Sequence, residues 1–332
     1  RGCLPRDARF QWPRRVFEFN ASGAAYWPLL RPSETVATPY RSFHSRLISL
    51  TANCCTTMPI FHAIVLGVTQ GLTEFLPVSS SGHLGIIPWL FQWNHFDGDT
   101  RMENTFDVAL HLGTLIGSVA CLWGDVRTYS RAGLSAVVGR APWNEEAKFG
   151  WFLILSAVPA AIVAASFESF FLTQSNRIGL IASGLAVFGV LLWAVDRGFK
   201  TKANIKDLTM SRAALLGCGQ CLALLPGVSR SGVSITIARS LGYDRSDSAR
   251  IAFLMGLPII GGAALYRLIG VISDGLPSGM WSVLAAGTIS SAVTGWFAVH
   301  VMLRWVRSHS YAGFAAYRVC LALALAIVLI AR

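Results

Sequence analysis

QGLTEFLPVSSSGH, residues 70–83, places a glutamate, a serine run and a histidine inside an otherwise apolar stretch. Gln70 and Glu74 are four apart and share one face of a helix. Pro77 ends that helix, and Ser79, Ser80, Ser81 and Gly82 make a tight turn. The next helix starts near Ser81, where free N–H groups favour an anion. His83 falls in its first turn. Polar and ionisable groups this dense are costly to bury in apolar surroundings without a purpose. The stretch therefore reads as the tip of a broken, re-entrant helical hairpin that carries chemistry.

The same design recurs 150 residues later as PGVSRSG at 226–232. In the window 66–82 against 216–232, eight of seventeen positions match: Leu66, Gly67, Gln70, Leu72, Val78, Ser79, Ser81 and Gly82. Arg230 stands where Ser80 stands, and Leu224 stands where Glu74 stands. One tip is acidic and hydroxyl-rich; the other, with Ser229, Arg230, Ser231 and Gly232, is cationic. An arginine at such a tip can fork onto phosphate oxygens.

Around the tips the chain is apolar. Of 332 residues, 53% are hydrophobic and only 14% charged, against about 25% charged in soluble domains. The apolar runs fall in the order broken pair (59–93), three spans (106–124, 150–167, 178–195), broken pair (213–242), three spans (251–272, 281–303, 312–330). Each long run approaches the ~20 residues that cross a bilayer. The expected fold is an all-α integral membrane protein, an inverted repeat of three transmembrane helices plus one re-entrant hairpin per half. The membrane domain runs over 58–332, with halves at about 58–195 and 213–331.

Net charge is +11. Its distribution in short loops argues for topology and anionic lipid rather than nucleic acid. Loop 125–149 carries Arg127, Arg131, Arg140 and Lys148. Loop 196–212 carries Arg197, Lys200, Lys202, Lys206 and Arg212, and loop 304–311 carries Arg304 and Arg307. All three are expected inside the cell, and loop 94–105, with Asp97, Asp99 and Glu103, outside. The first hairpin then enters from outside and the second from inside, a design of membrane proteins built from inverted repeats. Residues 1–57 lack a long apolar run and are read as a disordered or non-native extension. Cys218 and Cys221 form a CxxC with no second ligand pair and read as packing residues. His62, Asp107, His111, Arg239, Arg267, His300 and Arg318 read as structural, paired or span-end groups.

GLTEFLPVSSSGHL at 71–84, QCLALLPGVSRSG at 220–232 and the FxVAxHLGTL-like run at 106–115 closely resemble the undecaprenyl-diphosphate phosphatase family, also known through bacitracin resistance. The resemblance covers about 58–332. It implies hydrolysis of a polyprenyl diphosphate lipid to its monophosphate, in a bacterial cytoplasmic membrane, with recycling of the carrier for cell-wall synthesis. It also implies a divalent cation, usually magnesium. The acidic motif falls on Gln70 and Glu74, so this chain has one carboxylate where the family often has two. Ser80 and His83 match the proposed catalytic pair and Arg230 the phosphate-binding arginine.

On this reading Glu74, with Gln70, holds the metal. Arg230 and the turns at Ser79, Ser81, Gly82, Ser229, Ser231 and Gly232 hold the phosphates. Ser80 is the first choice of nucleophile with His83 as base or acid; attack by His83 or by water stays open. The site is expected to face the periplasm or exterior, and a homodimer is compatible. A second phosphatase family with a PSGH-like string needs SRxxxxxH, and Thr236 stands where that histidine belongs. The rival class is a polyprenyl-phosphate flippase, which needs the anion site but no nucleophile.

Overall fold

A computed structural model describes residues 58–332 except 94, 97, 98, 175, 176, 275, 277, 278 and 332, and side chains except those at 100, 172, 267, 268 and 270–274. The extension read at 1–57, Asp97 and the Arg267 side chain lie outside the described residues. The described chain is helical: α1 (Ile60–Phe75), α2 (Ser80–Phe91), α3 (Thr100–Cys121), α4 (Trp123–Val137), α5 (Glu145–Ser166), α6 (Glu168–Gln174), α7 (Ile178–Gly198), α8 (Met210–Gln220), α9 (Arg230–Ser240), α10 (Arg245–Asp274), α11 (Met280–Trp305) and α12 (Ala312–Ala331). The only strand-like pairing among the described residues is an isolated bridge between Ala203 and Tyr243.

Local sequence sets these boundaries. Leu76, forced extended by the proline after it, closes α1 with ψ 140°. Asp99 caps α3 by accepting from the Arg101 and Met102 N–H groups, and Asn144 caps α5 through the Ala147 N–H. Helices α5, α7, α10 (through Tyr266), α11 and α12 are each long and apolar enough to cross a membrane. Their outward side chains, among them Ile162, Val187, Val293, Phe297, Ile327 and Ile330, are apolar and exposed. Such a surface is stable against lipid and a liability in water. The molecule is thus a multi-pass membrane protein.

At 16 and 12 residues, α1 and α2 are about 24 and 18 Å long, short of the ~30 Å hydrocarbon core. The segment 125–149, read as a loop, is a correction. Trp123 begins a helix bent by 87° from α3, and α4 and the start of α5 occupy most of the segment. Asp125 of α4 receives both Arg250 Nε (2.9 Å) and, in a tighter contact, Arg250 Nη2 of α10.

Small residues bring the helices together, as membrane interiors require. Gly67 and Gly71 of α1, and Gly113 and Gly117 of α3, lie against α11, where an added Cβ would overlap its backbone or hydroxyls. Ser291 Oγ of α11 donates to Leu110 O at 2.8 Å and Thr288 Oγ1 to Ala109 O at 3.0 Å. Helix α11 packs on α1 and α3; helix α5 packs on α8 and α10; α7 packs on α12. At the basic end of the bundle, Asp196 of α7 is buried and takes Arg239 Nε (3.1 Å), Arg245 Nε (2.9 Å) and the Tyr311 N–H (3.2 Å). Cys218, read as a packing residue, is exposed and free; Cys221 is half-buried and free.

Candidate active site

Both hairpin tips turn on a serine with a positive φ: Ser79 at φ 78°, ψ 98° and Ser229 at φ 74°, ψ 116°. A non-glycine residue held there is strained by about 1–3 kcal/mol. The strain is held by capping. Ser79 Oγ accepts from the Gly82 N–H at 3.3 Å, and Ser229 Oγ accepts from the Gly232 N–H at 3.1 Å. The hydroxyls of Ser79 and Ser81 lie 3.4 Å apart, those of Ser229 and Ser231 3.2 Å. The N–H groups at the heads of α2 and α9 that the caps do not take, those of Ser80, Ser81, Arg230 and Ser231, have no intrahelical acceptor.

The tips meet. Ser231 Oγ donates across to Leu76 O at 3.0 Å. Arg230 Nη2 donates to Glu74 Oε1 at 2.6 Å, with the two side chains only 15% and 4% exposed. Ser80 Oγ donates to Glu74 Oε2 at 2.6 Å, and Gln70 Nε2 donates to the same oxygen at 2.9 Å. Glu74 therefore joins Gln70, Ser80 and Arg230 in one cluster. Two polar atoms in it are buried without a partner: Arg230 Nη1 and Gln70 Oε1. Buried polar atoms are rarely left unpaired, so an orphan donor and an orphan acceptor at one place mark a site shaped for ligands. Gly256 of α10 makes the room for the guanidinium; an added Cβ there would overlap Arg230 Nη1.

His83 lies elsewhere. Its Nδ1 is 2.7 Å from Ser79 O and its Nε2 2.6 Å from the Tyr317 hydroxyl of α12, with the two rings stacked. A carbonyl oxygen only accepts, so Nδ1 carries the proton and Nε2 accepts from Tyr317. Both ring nitrogens are thus occupied away from Ser80. His83 borders an apolar cavity of about 530 Å³ that Leu72, Leu76, Val78, Ile87 and Phe314 also line.

Three groups in or beside the cluster are not evident from sequence. His111 of α3 brings Nε2 within 3.5 Å of Glu74 Oε2. Its spacing from Asp107, four residues on one helix face, is the signal that was available. Gly256 is invisible without packing. Arg318 of α12 is fully buried. Its guanidinium donates to Leu185 O (3.3 Å) and Gly184 O (3.2 Å) of α7, to Pro77 O (3.1 Å) of the first tip, and to Gly227 O and Val228 O (both 2.9 Å) of the second. One cation inside an apolar 20-residue helix was its signal. His62 stacks on Trp93 and lies 2.7 Å from His95, outside the cluster.

The model of the family described as "Bacitracin resistance protein BacA" matches residues 63–324. A relative from Pelobacter propionicus named undecaprenyl-diphosphatase is 42% identical over 265 residues, covering 79% of this chain and 94% of that protein. A relative of the same name from Geobacter metallireducens is 42% identical over 259 residues, covering 77% and 93%. Another, from Moorella thermoacetica, is 39% identical over 266 residues, covering 80% and 96%.

Proposed function

The chain belongs to the bacitracin resistance protein BacA family, and from that premise we propose that the Glu74 cluster hydrolyses undecaprenyl diphosphate to the monophosphate and phosphate. The observation that carries the proposal is the Glu74 carboxylate, shared between the Ser80 hydroxyl and the Arg230 guanidinium. In this geometry Glu74, not His83, is the base for Ser80. As Ser80 Oγ bonds to the terminal phosphorus, its proton passes to Glu74 Oε2. The bond to the bridging oxygen breaks, and polyprenyl phosphate leaves. Water then cleaves the phosphoserine, releases phosphate and restores Ser80.

The other residues position and stabilise. Arg230 is fixed through Nη2 by Glu74, which leaves Nη1 for a phosphoryl oxygen. The N–H groups at the heads of α2 and α9 add anion-binding capacity from two sides. Ser79, Gly82, Ser229 and Gly232 hold the turns rather than the ligand, and Ser231 ties one tip to the other. His83 braces Ser79 against α12. Positioning of this kind is most of what phosphoryl transfer asks of a protein.

A divalent cation fits the donor set. Gln70 Oε1 is a buried oxygen without a partner, on the amide whose Nε2 donates to the Glu74 carboxylate. Among the described residues no three His, Cys, Asp or Glu side chains gather into a metal cage, so water and substrate oxygens would complete the coordination. Bound there, the cation offsets negative charge on the phosphates.

The apolar cavity beside His83 suits the start of the prenyl tail. The arrangement proposed across the membrane is the inverted repeat, with the basic segments inside the cell and the Glu74 hairpin entered from the periplasm or exterior of the cytoplasmic membrane. The paired packing of α11 on α1 and α3, and of α5 on α8 and α10, supports it. The test is phosphate release by purified protein from a short-chain prenyl diphosphate. Release that is lost in Glu74→Ala and Arg230→Ala is expected. Lipid binding without release would overturn hydrolysis in favour of transport.

A further inference from the structure

Between residues 275 and 332 the sequence holds arginines at 304, 307, 318 and 332 and no aspartate or glutamate. Arg318 is committed to backbone carbonyls at the hairpin tips. Arg304 is not. It lies exposed in the last turn of α11, and among the described residues its guanidinium has no hydrogen-bond or ion-pair partner. It lines a surface groove of about 600 Å³. Phe297, Val301 and Arg304, spaced at i, i+4 and i+7, share one face of α11 and form the floor. Trp296, stacked on His300 at 5.3 Å, borders one side, and Trp305, stacked on His309 at 4.0 Å, borders the other. His309 Nδ1 lies 3.3 Å from Trp305 O and 2.8 Å from Ser308 Oγ. A carbonyl oxygen only accepts, so Nδ1 carries the proton. The Ser308 oxygen accepts from it, and the hydroxyl keeps its own hydrogen for a ligand.

We propose that this groove binds an anionic phospholipid, with its phosphate diester on Arg304 and Ser308 and one acyl chain along Val301 and Phe297. Depth places the groove at the lipid boundary. Trp281, exposed near the other end of α11, and Trp305 are about 36 Å apart along the helix. That exceeds the ~30 Å hydrocarbon core, so both indoles fall at headgroup level, where tryptophan concentrates. Arg304 shares the level of Trp305, and Phe297 lies about 12 Å deeper, among the chains. The groove is therefore polar at headgroup depth and apolar at chain depth, as a phospholipid is. Charge selects among phospholipids. A guanidinium takes phosphate oxygens in bidentate fashion, and no acidic residue lines the groove to pair with the ammonium of a zwitterionic headgroup. Basic side chains at a membrane surface draw anionic lipid in this way. Trp305 also walls the apolar cavity beside His83, which makes polyprenyl phosphate the competitor to exclude.

The test uses the full chain, purified in detergent and incubated with equimolar phosphatidylglycerol and phosphatidylcholine, with retained lipid read by native mass spectrometry. One phosphatidylglycerol per chain, held about tenfold over phosphatidylcholine, is expected. Arg304→Gln should weaken that preference about fivefold, the effect of one basic residue at an anionic surface. Arg140→Gln removes the same charge from an exposed position outside the groove and should leave the preference unchanged. A preference that is absent from the unaltered protein, survives in Arg304→Gln, or falls equally in Arg140→Gln would overturn the proposal. A chain-labelled photoactivatable phosphatidylglycerol locates the site without mutation. Its attachment within 296–309, suppressed by excess unlabelled phosphatidylglycerol, is expected; suppressible attachment elsewhere and none there would also overturn it. Excess short-chain prenyl monophosphate should leave the phosphatidylglycerol bound. Displacement would assign the groove to polyprenyl phosphate instead. None of these outcomes depends on phosphate release, so the hydrolysis reading stands or falls separately.

Discussion

The contact between Glu74 and Arg230 joins residues 156 apart in sequence, and a double-mutant cycle across it tests whether the two hairpins form one site. The variants are Glu74→Gln, Arg230→Gln and the pair. Both replacements keep the approximate shape and remove the charge. At 2.6 Å, with both side chains largely buried, the pair attracts by up to about 6 kcal/mol at an effective dielectric near 20. Removing one partner strands the other, at a cost of about 3–5 kcal/mol. Each single variant should therefore lose about 3 kcal/mol of stability. The double variant should lose less than the sum, leaving a coupling of about 2–4 kcal/mol. Neutral polar contacts in membrane proteins average only about 0.6 kcal/mol in such cycles, so the two cases separate. Unfolding in mixed micelles, followed by circular dichroism, supplies the free energies. A coupling near or below that neutral value would refute the claim that the tips are clasped by this ion pair.

Two more outcomes follow from the packing. Gly256→Ala should leave the fold in place but push the Arg230 guanidinium aside, lowering kcat by about 100-fold, the usual effect of a 1 Å misplacement; unchanged turnover would show that Gly256 does not set that position. Arg318→Met should strip a donor from five buried carbonyls and destabilise by about 3–5 kcal/mol. Arg318→Lys should recover only part of that, and a thermal midpoint equal to the unaltered protein's in Arg318→Met would exclude the bracing role.

The hairpin tips were legible in the sequence because their determinants are local. A proline, a capping serine and a glycine three residues on specify the same turn twice, and Ser79 and Ser229 adopt nearly the same φ and ψ. The long apolar helices were legible through composition. What packing decides was not. Ser80 and His83 sit in one helical turn, yet one reaches α1 and the other α12; the Ser79 carbonyl and Tyr317 together hold the ring there. His111 reads in the sequence as a structural or span-end group because nothing in α3 alone says which partner its face will meet. The charges of 125–149 suggested a loop, since a polar helix lying across the bundle carries no apolar span to announce it.

The bracing by Arg318 has a bearing on biosynthesis. Its donors reach backbone made far earlier, at Pro77, Gly184, Leu185, Gly227 and Val228. Both hairpins leave the ribosome before α12 does, and until α12 inserts, the carbonyls of Pro77, Gly227 and Val228 lack the Arg318 guanidinium. Assembly of the reactive centre thus waits on the last described helix. A nascent chain stalled before residue 312 would hold every group of the Glu74 cluster and lack the clamp that sets them at working distance.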